Sequence, residues 1–435
     1  MIRLPLFLFA SLATVVVYAD DWNRFRGPNG SGLSSDSGVP SEWSPETNMK
    51  WSAELPGKGS SSPIVIGDRV YVTSYTGYGL DKENPGNPAD LERHLIAIDR
   101  NTGQEVWRSS VKSEGDEDPY EGFIQEHGYA SSTPVSNGER LFVQFGKTGM
   151  VAFDMDGNRL WTTNLGDKSD PAKWGDGSGA ALYEDLIIAN AGIVGHQIVA
   201  LNQSDGSVAW KIENPDFTNC WSTPILVTVD GRDEMVFSMP GKIMGVDPGT
   251  GKELWFAESP IAQTVCGSLG ERNGVVFAMG GRRGNAVAVR CGGSGDVTDT
   301  HTVWKQPLRA GIGTPIVVGD NMYWSTRGIA YAANCETGEL VFEERLPAAS
   351  GGNSRQRMPA GDYASPIAIG ERLYLLTRGG TMFVMDAGNQ FELAAQNGFG
   401  DDNTLFNATP AVSDGDLFVR SEGKLYCIGN ARPDN

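Results

Sequence analysis

The chain has 435 residues, room for two or three average domains or one large all-β domain. Its 54 Asp and Glu outweigh 35 Lys and Arg, and the net charge of −19 argues against general nucleic-acid binding, which needs a basic stripe to displace counterions. Gly supplies 56 residues, about twice the average usage of ~7%, which disfavours a helical bundle, while 11 Trp provide for a large core.

Residues 1–19 read as a secretory signal peptide. Arg3 gives the positive start, Leu4 to Tyr18 are nearly all apolar, and Val17-Tyr18-Ala19 sets up cleavage after Ala19. This apolar run is shorter than the ~20 residues that span a bilayer, and no later segment is longer, so no membrane span is expected. The expected location is periplasmic or secreted. Residues 20–47 follow as an extended N-terminal segment, residues 48–430 carry a repeat, and 431–435 form a short tail.

The repeat is a small-residue motif, often ending in Pro, then a β-branched strand, a polar turn and a second strand. Its copies begin at Ser61-Ser62-Pro63, Ser132-Thr133-Pro134, Ser178-Gly179-Ala180, Ser222-Thr223-Pro224, Gly267-Ser268-Leu269, Gly313-Thr314-Pro315, Ala364-Ser365-Pro366 and Ala408-Thr409-Pro410. A third strand follows each, and most add a turn and an aromatic residue. Ala97-Ile98-Asp99, Thr102-Gly103, Trp107 is the cleanest example, and Asp247, Thr250-Gly251, Trp255 repeats it. Asp starts a side-chain-stabilised turn, Gly takes the conformation a Cβ forbids, and Trp can dock flat between neighbouring units. Four short strands per unit, repeated radially, make an all-β, eight-bladed β-propeller with four-stranded blades. The eighth copy stops at Ile428 without its Trp-bearing strand. That strand is expected from Met49-Lys50-Trp51-Ser52-Ala53, so the N-terminal strand closes the last blade and leaves no open edge.

The run Ala97-Ile98-Asp99-Arg100-Asn101-Thr102-Gly103-Gln104-Glu105-Val106-Trp107 resembles the repeat of PQQ-like (quinoprotein-type) β-propellers, and the resemblance covers roughly residues 48–430. The head Trp22-Asn23-Arg24-Phe25-Arg26-Gly27-Pro28-Asn29-Gly30-Ser31-Gly32 also resembles a segment found before such propellers in secreted bacterial proteins. The resemblance implies one of two behaviours. Quinoprotein dehydrogenases hold pyrroloquinoline quinone (PQQ) and Ca²⁺ on the propeller axis and oxidise alcohols or sugars. Others, such as the outer-membrane assembly lipoprotein, bind no cofactor and serve as interaction scaffolds. This chain lacks the vicinal Cys pair usual in the dehydrogenases, any C-x-x-C-H haem site, and a lipidated Cys after the signal. The repeat itself is structural and is not evidence of PQQ binding.

Loops joining second and third strands place Lys147, Lys242, Arg282, Arg327 and Arg378 at similar points. Their convergence would make a positive mouth suited to carboxylates or phosphates; otherwise they are solvated turn residues. His127, beside Glu126, is a potential acid/base or ligand, or else a loop hydrogen-bonding group. Trp221 is a stacking platform or axial packing. Cys220 and Cys266 fall at equivalent repeat positions, leaving open a disulfide or two buried small hydrophobes. No zinc, P-loop or nucleophile-elbow spacing occurs.

The expectation is a monomeric binding scaffold for a protein partner or a small acidic or sugar-like ligand. It needs no cofactor or metal and carries no catalytic residues. The alternative is a PQQ- and Ca²⁺-dependent oxidoreductase.

Overall fold

A computed structural model describes residues 21–114, 116–281, 284–348 and 362–430. The signal peptide, Arg282 and the tail lie outside them. The described residues form eight sheets, each built around four antiparallel strands, in sequential order in seven of them. Blade 1, for example, runs Ile64–Ile66, Arg69–Thr76, Glu92–Asp99 and Glu105–Lys112. Its first three strands are almost wholly buried and its fourth is largely exposed, because each blade packs both faces against neighbours and leaves only its outer edge in solvent. The ring closes as expected: Met49–Glu54 pairs with Lys424–Ile428 as the outer strand of blade 8. Among the described residues the one α-helix is Thr298–His301, and no helix is long and apolar enough to cross a membrane.

The turn and the Trp of the repeat interlock between blades. Asp99 Oδ1 accepts from the amides of Asn101 and Thr102 and from the Thr102 hydroxyl, and Asp247 and Asn334 build the same turn. Gly103 then takes φ 72°, and a Cβ there would sit 2.7 Å from the Trp51 ring. That ring lies flat on the turn of the next blade while its Nε1 donates to Arg100 O at 2.9 Å. Trp107, Trp161, Trp210 and Trp304 dock in the same way, onto Met155, Gln203, Pro248 and Cys335.

Trp255 is the exception. Blade 5 replaces that turn with residues 291–301, and Gly295–Asp296 adds a fifth, parallel strand to blade 4. Trp255 instead folds under its own blade, where Nε1 donates to the buried Glu234 carboxylate. Gly245 makes the room, since a Cβ would lie 2.4 Å from the indole and Ala97, Ala200 and Ala332 occupy the matching strand position elsewhere.

The head crosses one end of the axis. Trp22 O accepts from Val65 in blade 1, Asn23 exchanges bonds with Ser136 in blade 2, and Arg24 donates to Pro224 O in blade 4. Arg26 donates to Pro315 O in blade 6. Leu33–Ser34 then runs parallel to the first strand of blade 7. One segment thus ties five of the eight blades together from below.

Candidate functional site

The residues just before each first strand face the axis. Seven of these eight positions carry a hydroxyl, on Ser62, Thr133, Thr223, Ser268, Thr314, Ser365 and Thr409. Each hydroxyl accepts from the backbone N–H at the same position in the preceding blade, at 2.8 to 3.1 Å. The ring of links runs from blade to blade and breaks once, between Thr133 and Gly179, because Gly179 has no side chain to accept. Pro at the next position lacks an N–H, so the hydroxyl residue is the last available donor before the strand.

These eight residues line an axial cavity of about 150 Å³. Phe25 of the head forms part of its floor. The other end is lined by His127, Trp174, Trp221, Tyr363, Cys266, Ile312 and Asn407.

Loops that lead into the first strands set these groups in place. Asp170 accepts from the amides of Ala172, Trp174 and Gly175 and so fixes the loop carrying Trp174. Trp174 stacks on Phe123 with centroids 4.1 Å apart and lies parallel to His127 at 6.3 Å. Trp221 donates from Nε1 to Gly175 O at 2.7 Å and meets Trp174 edge-on. His127 Nδ1 lies 2.6 Å from Ser131 Oγ. Desolvation at the cavity wall lowers its pKa to about 4, so the ring is neutral at neutral pH.

The structure brings together only part of the sequence-derived set. His127 and Trp221 line the cavity; Lys147, Lys242, Arg327 and Arg378 do not. Lys147 is buried in the turn between the second and third strands of blade 2, bonded to Asp116 O and paired with Asp118 at 3.2 Å. Lys242 pairs with Glu253 on the outer strand of blade 4 and lies over Phe256. Arg327 sits exposed in a left-handed turn at φ 54°. Arg378 stands behind the wall: its Nε donates to Asn407 Oδ1, its guanidinium pairs with Glu126 at 3.0 Å, and it covers the Tyr363 ring at 4.2 Å. It therefore positions Asn407 and Tyr363 rather than meeting a ligand itself.

Neither Cys220 nor Cys266 forms a disulfide. Cys220 is buried, and Cys266 lines the cavity beside it across the Cys220–Val265 bridge. Burial raises Cys220 to about 11 and Cys266 to about 12, so both stay protonated and weakly nucleophilic.

Three buried charged residues near the axis escaped the loop-based reading: Arg24, Arg26 and Arg420. They are 6%, 0% and 0% exposed, and each donates to a main-chain carbonyl directly beside a ring hydroxyl residue, at Pro224, Pro315 and Ser61. Two of them stand in the head and one ends a second strand, outside the loops that the repeat singles out. The usable signal was a pair of arginines inside an apolar, glycine-rich head.

A quinone with Ca²⁺ can be tested against these walls. Among the described residues the lining holds no Asp or Glu, and its one amide, Asn407, already gives its oxygen to Arg378. No group of three His, Cys, Asp or Glu could hold a metal among those residues. The lining offers a hard cation neither a carboxylate nor a free side-chain amide oxygen, so the walls do not fit the quinone–calcium pair.

The family model described as outer membrane protein assembly factor BamB matches residues 92–344. A polyvinylalcohol dehydrogenase from a Pseudomonas species is 24% identical over 326 residues, covering 60% of this chain. The match spans only about half of the dehydrogenase, 49% of its length. BamB of Burkholderia pseudomallei is 23% identical over 311 residues, covering 68% of this chain and 69% of that protein. The crystal structure of BamB from Moraxella catarrhalis superposes with a TM-score of 0.61 at 15% identity, over 88% of this chain and 99% of that one, which bears on the fold. With more than half its length matched and eight blades built from the repeat, the chain belongs to the PQQ-like, BamB-type repeat family of β-propellers.

Proposed function

We propose that the protein is a binding and interaction scaffold of the cell envelope that receives its ligand or partner at the aromatic end of the axis. The observation that carries this reading is the asymmetry of the cavity. Its floor is built from the head, whereas Phe123, Trp174, Trp221 and His127 keep exposed faces around the opposite end. Aromatic anchors beside neutral hydrogen-bonding groups are what recognition sites offer. Burial keeps the cavity thiol of Cys266 protonated at neutral pH, so it is not an activated nucleophile. Similarity to a BamB protein supports the scaffold side, and similarity to a dehydrogenase keeps the oxidoreductase as the second reading.

A photo-reactive residue at Phe123, which is 45% exposed, is expected to crosslink a partner in cells. The same group at Leu340, on the outer strand of blade 6, is expected not to. Equal crosslinking at both sites would overturn the reading. Calorimetric titration with PQQ and Ca²⁺ supplies the competing arm: tight stoichiometric uptake, followed by dye-linked alcohol oxidation, would replace the scaffold with the enzyme.

A further inference from the structure

Burying a guanidinium without a counter-ion costs several kcal/mol after relaxation, so proteins pair or expose such groups. Arg24, Arg26 and Arg420 break that rule together. None forms an ion pair among the described residues, and Glu422 acts on Arg420 only from farther off. Arg24 Nε, Arg26 Nε and Nη1, and Arg420 Nε and Nη2 are buried without any hydrogen-bond partner. Burial lowers the three guanidinium pKa values to about 10, 9 and 9, which leaves all of them charged at neutral pH.

Their placement is not scattered. Each is bonded one residue away from a member of the hydroxyl ring, so the charges surround the axis next to Thr223, Thr314 and Ser62. The seven ring hydroxyls add a second feature. Each uses a lone pair to accept a backbone N–H, and none donates its own proton to a described protein group. A hydroxyl that accepts in this way becomes a better donor. The cavity is thus rich in unused O–H donors, free of carboxylates, and backed from behind its lining by three guanidinium groups, of which only Arg420 feels a carboxylate, that of Glu422.

We propose that the axial cavity is the site of a small oxyanion, of carboxylate or sulfate type, which accepts from an arc of the hydroxyl ring and neutralises the buried arginines. This inference rests on the binding reading above and names its ligand chemistry. It differs from the quinone–metal arrangement because the charge that needs a partner here is positive on the protein side. A volume of about 150 Å³ admits an ion or the carboxylate end of a longer molecule entering past Trp221. Free ion and chain end share one chemistry.

The test is calorimetric titration and thermal unfolding of the mature chain with sodium sulfate and sodium acetate, at constant ionic strength set by sodium chloride. Saturable one-to-one uptake and a ligand-dependent rise in the unfolding midpoint are expected. Arg26→Met is expected to weaken uptake at least tenfold. Because that change also touches the head, Thr314→Val, which removes one ring hydroxyl from an otherwise linked ring, is the second variant, with a severalfold loss and recovery in Thr314→Ser. A tripeptide with a free C-terminus that binds where its amide does not would identify a chain end as the source. Sulfate and acetate binding without tripeptide binding would identify a free ion. Uptake of D-glucose with none of the anions would overturn the oxyanion and leave the binding reading intact. So would crosslinking at Phe123 with no anion uptake. Equal anion affinity in all the proteins would overturn the proposal as well.

Discussion

The two ends of the propeller axis are closed by opposite means. At the lower end one continuous segment, Trp22 to Ser34, makes main-chain and side-chain bonds to five blades, and its Trp22 and Arg26 are 2% and 0% exposed. At the upper end several loops from different blades lean on one another through rings: Phe123 on Trp174, Trp221 against Trp174, Arg378 over Tyr363. The lower end is held by geometry that the whole ring must satisfy. The upper end is held by local pairs whose faces stay partly exposed. A closure of the first kind resists opening, and one of the second kind can yield to a ligand, which supports the binding face proposed at the top.

The largest effect should come from breaking the lower closure. Trp22→Ala removes a fully buried indole from the seam between the head and blade 1, and a loss of about 3–5 kcal/mol is expected by denaturant unfolding. Cleavage within residues 21–34 by a protease should follow, since those residues then dock less tightly. At the upper end, Arg378→Met strands Glu126 and frees Asn407 and Tyr363. A loss of about 2–3 kcal/mol is expected, discounted because Glu126 is partly exposed, together with weaker binding at the mouth. A loss as large as that of Trp22→Ala would erase the distinction between the two ends.

The pH dependence sharpens the comparison. His127 is pushed down to about 4, so the unfolded chain binds a proton between about pH 6.5 and 4 that the folded chain refuses. Its contribution to stability therefore rises with pH across that window and is lost on acidification. Asp176, in the same upper region, is pushed up to about 6 by burial; there the folded chain holds the extra proton, and stability falls as pH rises from about 4 to 6. The two oppose each other. His127→Gln should thus gain on the wild type by about 2 kcal/mol between pH 6.5 and 4, measured as the difference between paired unfolding curves. Asp176→Asn should remove the opposite slope.

The smallest effect on stability belongs to Tyr363→Phe. The Tyr363 hydroxyl is buried without a partner, so its loss should change stability by less than about 0.5 kcal/mol, or raise it slightly. A larger loss would show that the upper wall is as tightly determined as the floor.

The architecture was legible because it rests on local rules repeated many times. Asp99-x-x-Thr102-Gly103 and the Trp that follows announce a turn and a strand in any context, and the missing eighth Trp pointed straight to Trp51. The site was legible only where loop position coincides with the axis, as at His127 and Trp221. Lys147 and Lys242 occupy matching loops, yet Asp118 and Glu253, distant or outward-facing partners, draw them elsewhere. The buried arginines were hidden because their role depends on the head crossing the ring, a contact between Arg26 and Pro315 that no local pattern encodes. The hydroxyls before Pro were visible as small residues, but the donor ring emerges only when eight copies are closed into a circle.

That circle has a consequence for how the chain is made. Met49 pairs with Ile428, and the head needs finished first strands in blades 1, 2, 4, 6 and 7 before it can dock. The head and the Met49–Glu54 strand are therefore made before the partners they need, and wait tens of seconds for them at usual synthesis rates. Until then Trp22, Arg26 and Trp51 have no partners, and the nascent chain presents an open strand edge and an unsealed channel. Those residues must be kept from pairing wrongly until the final strand arrives.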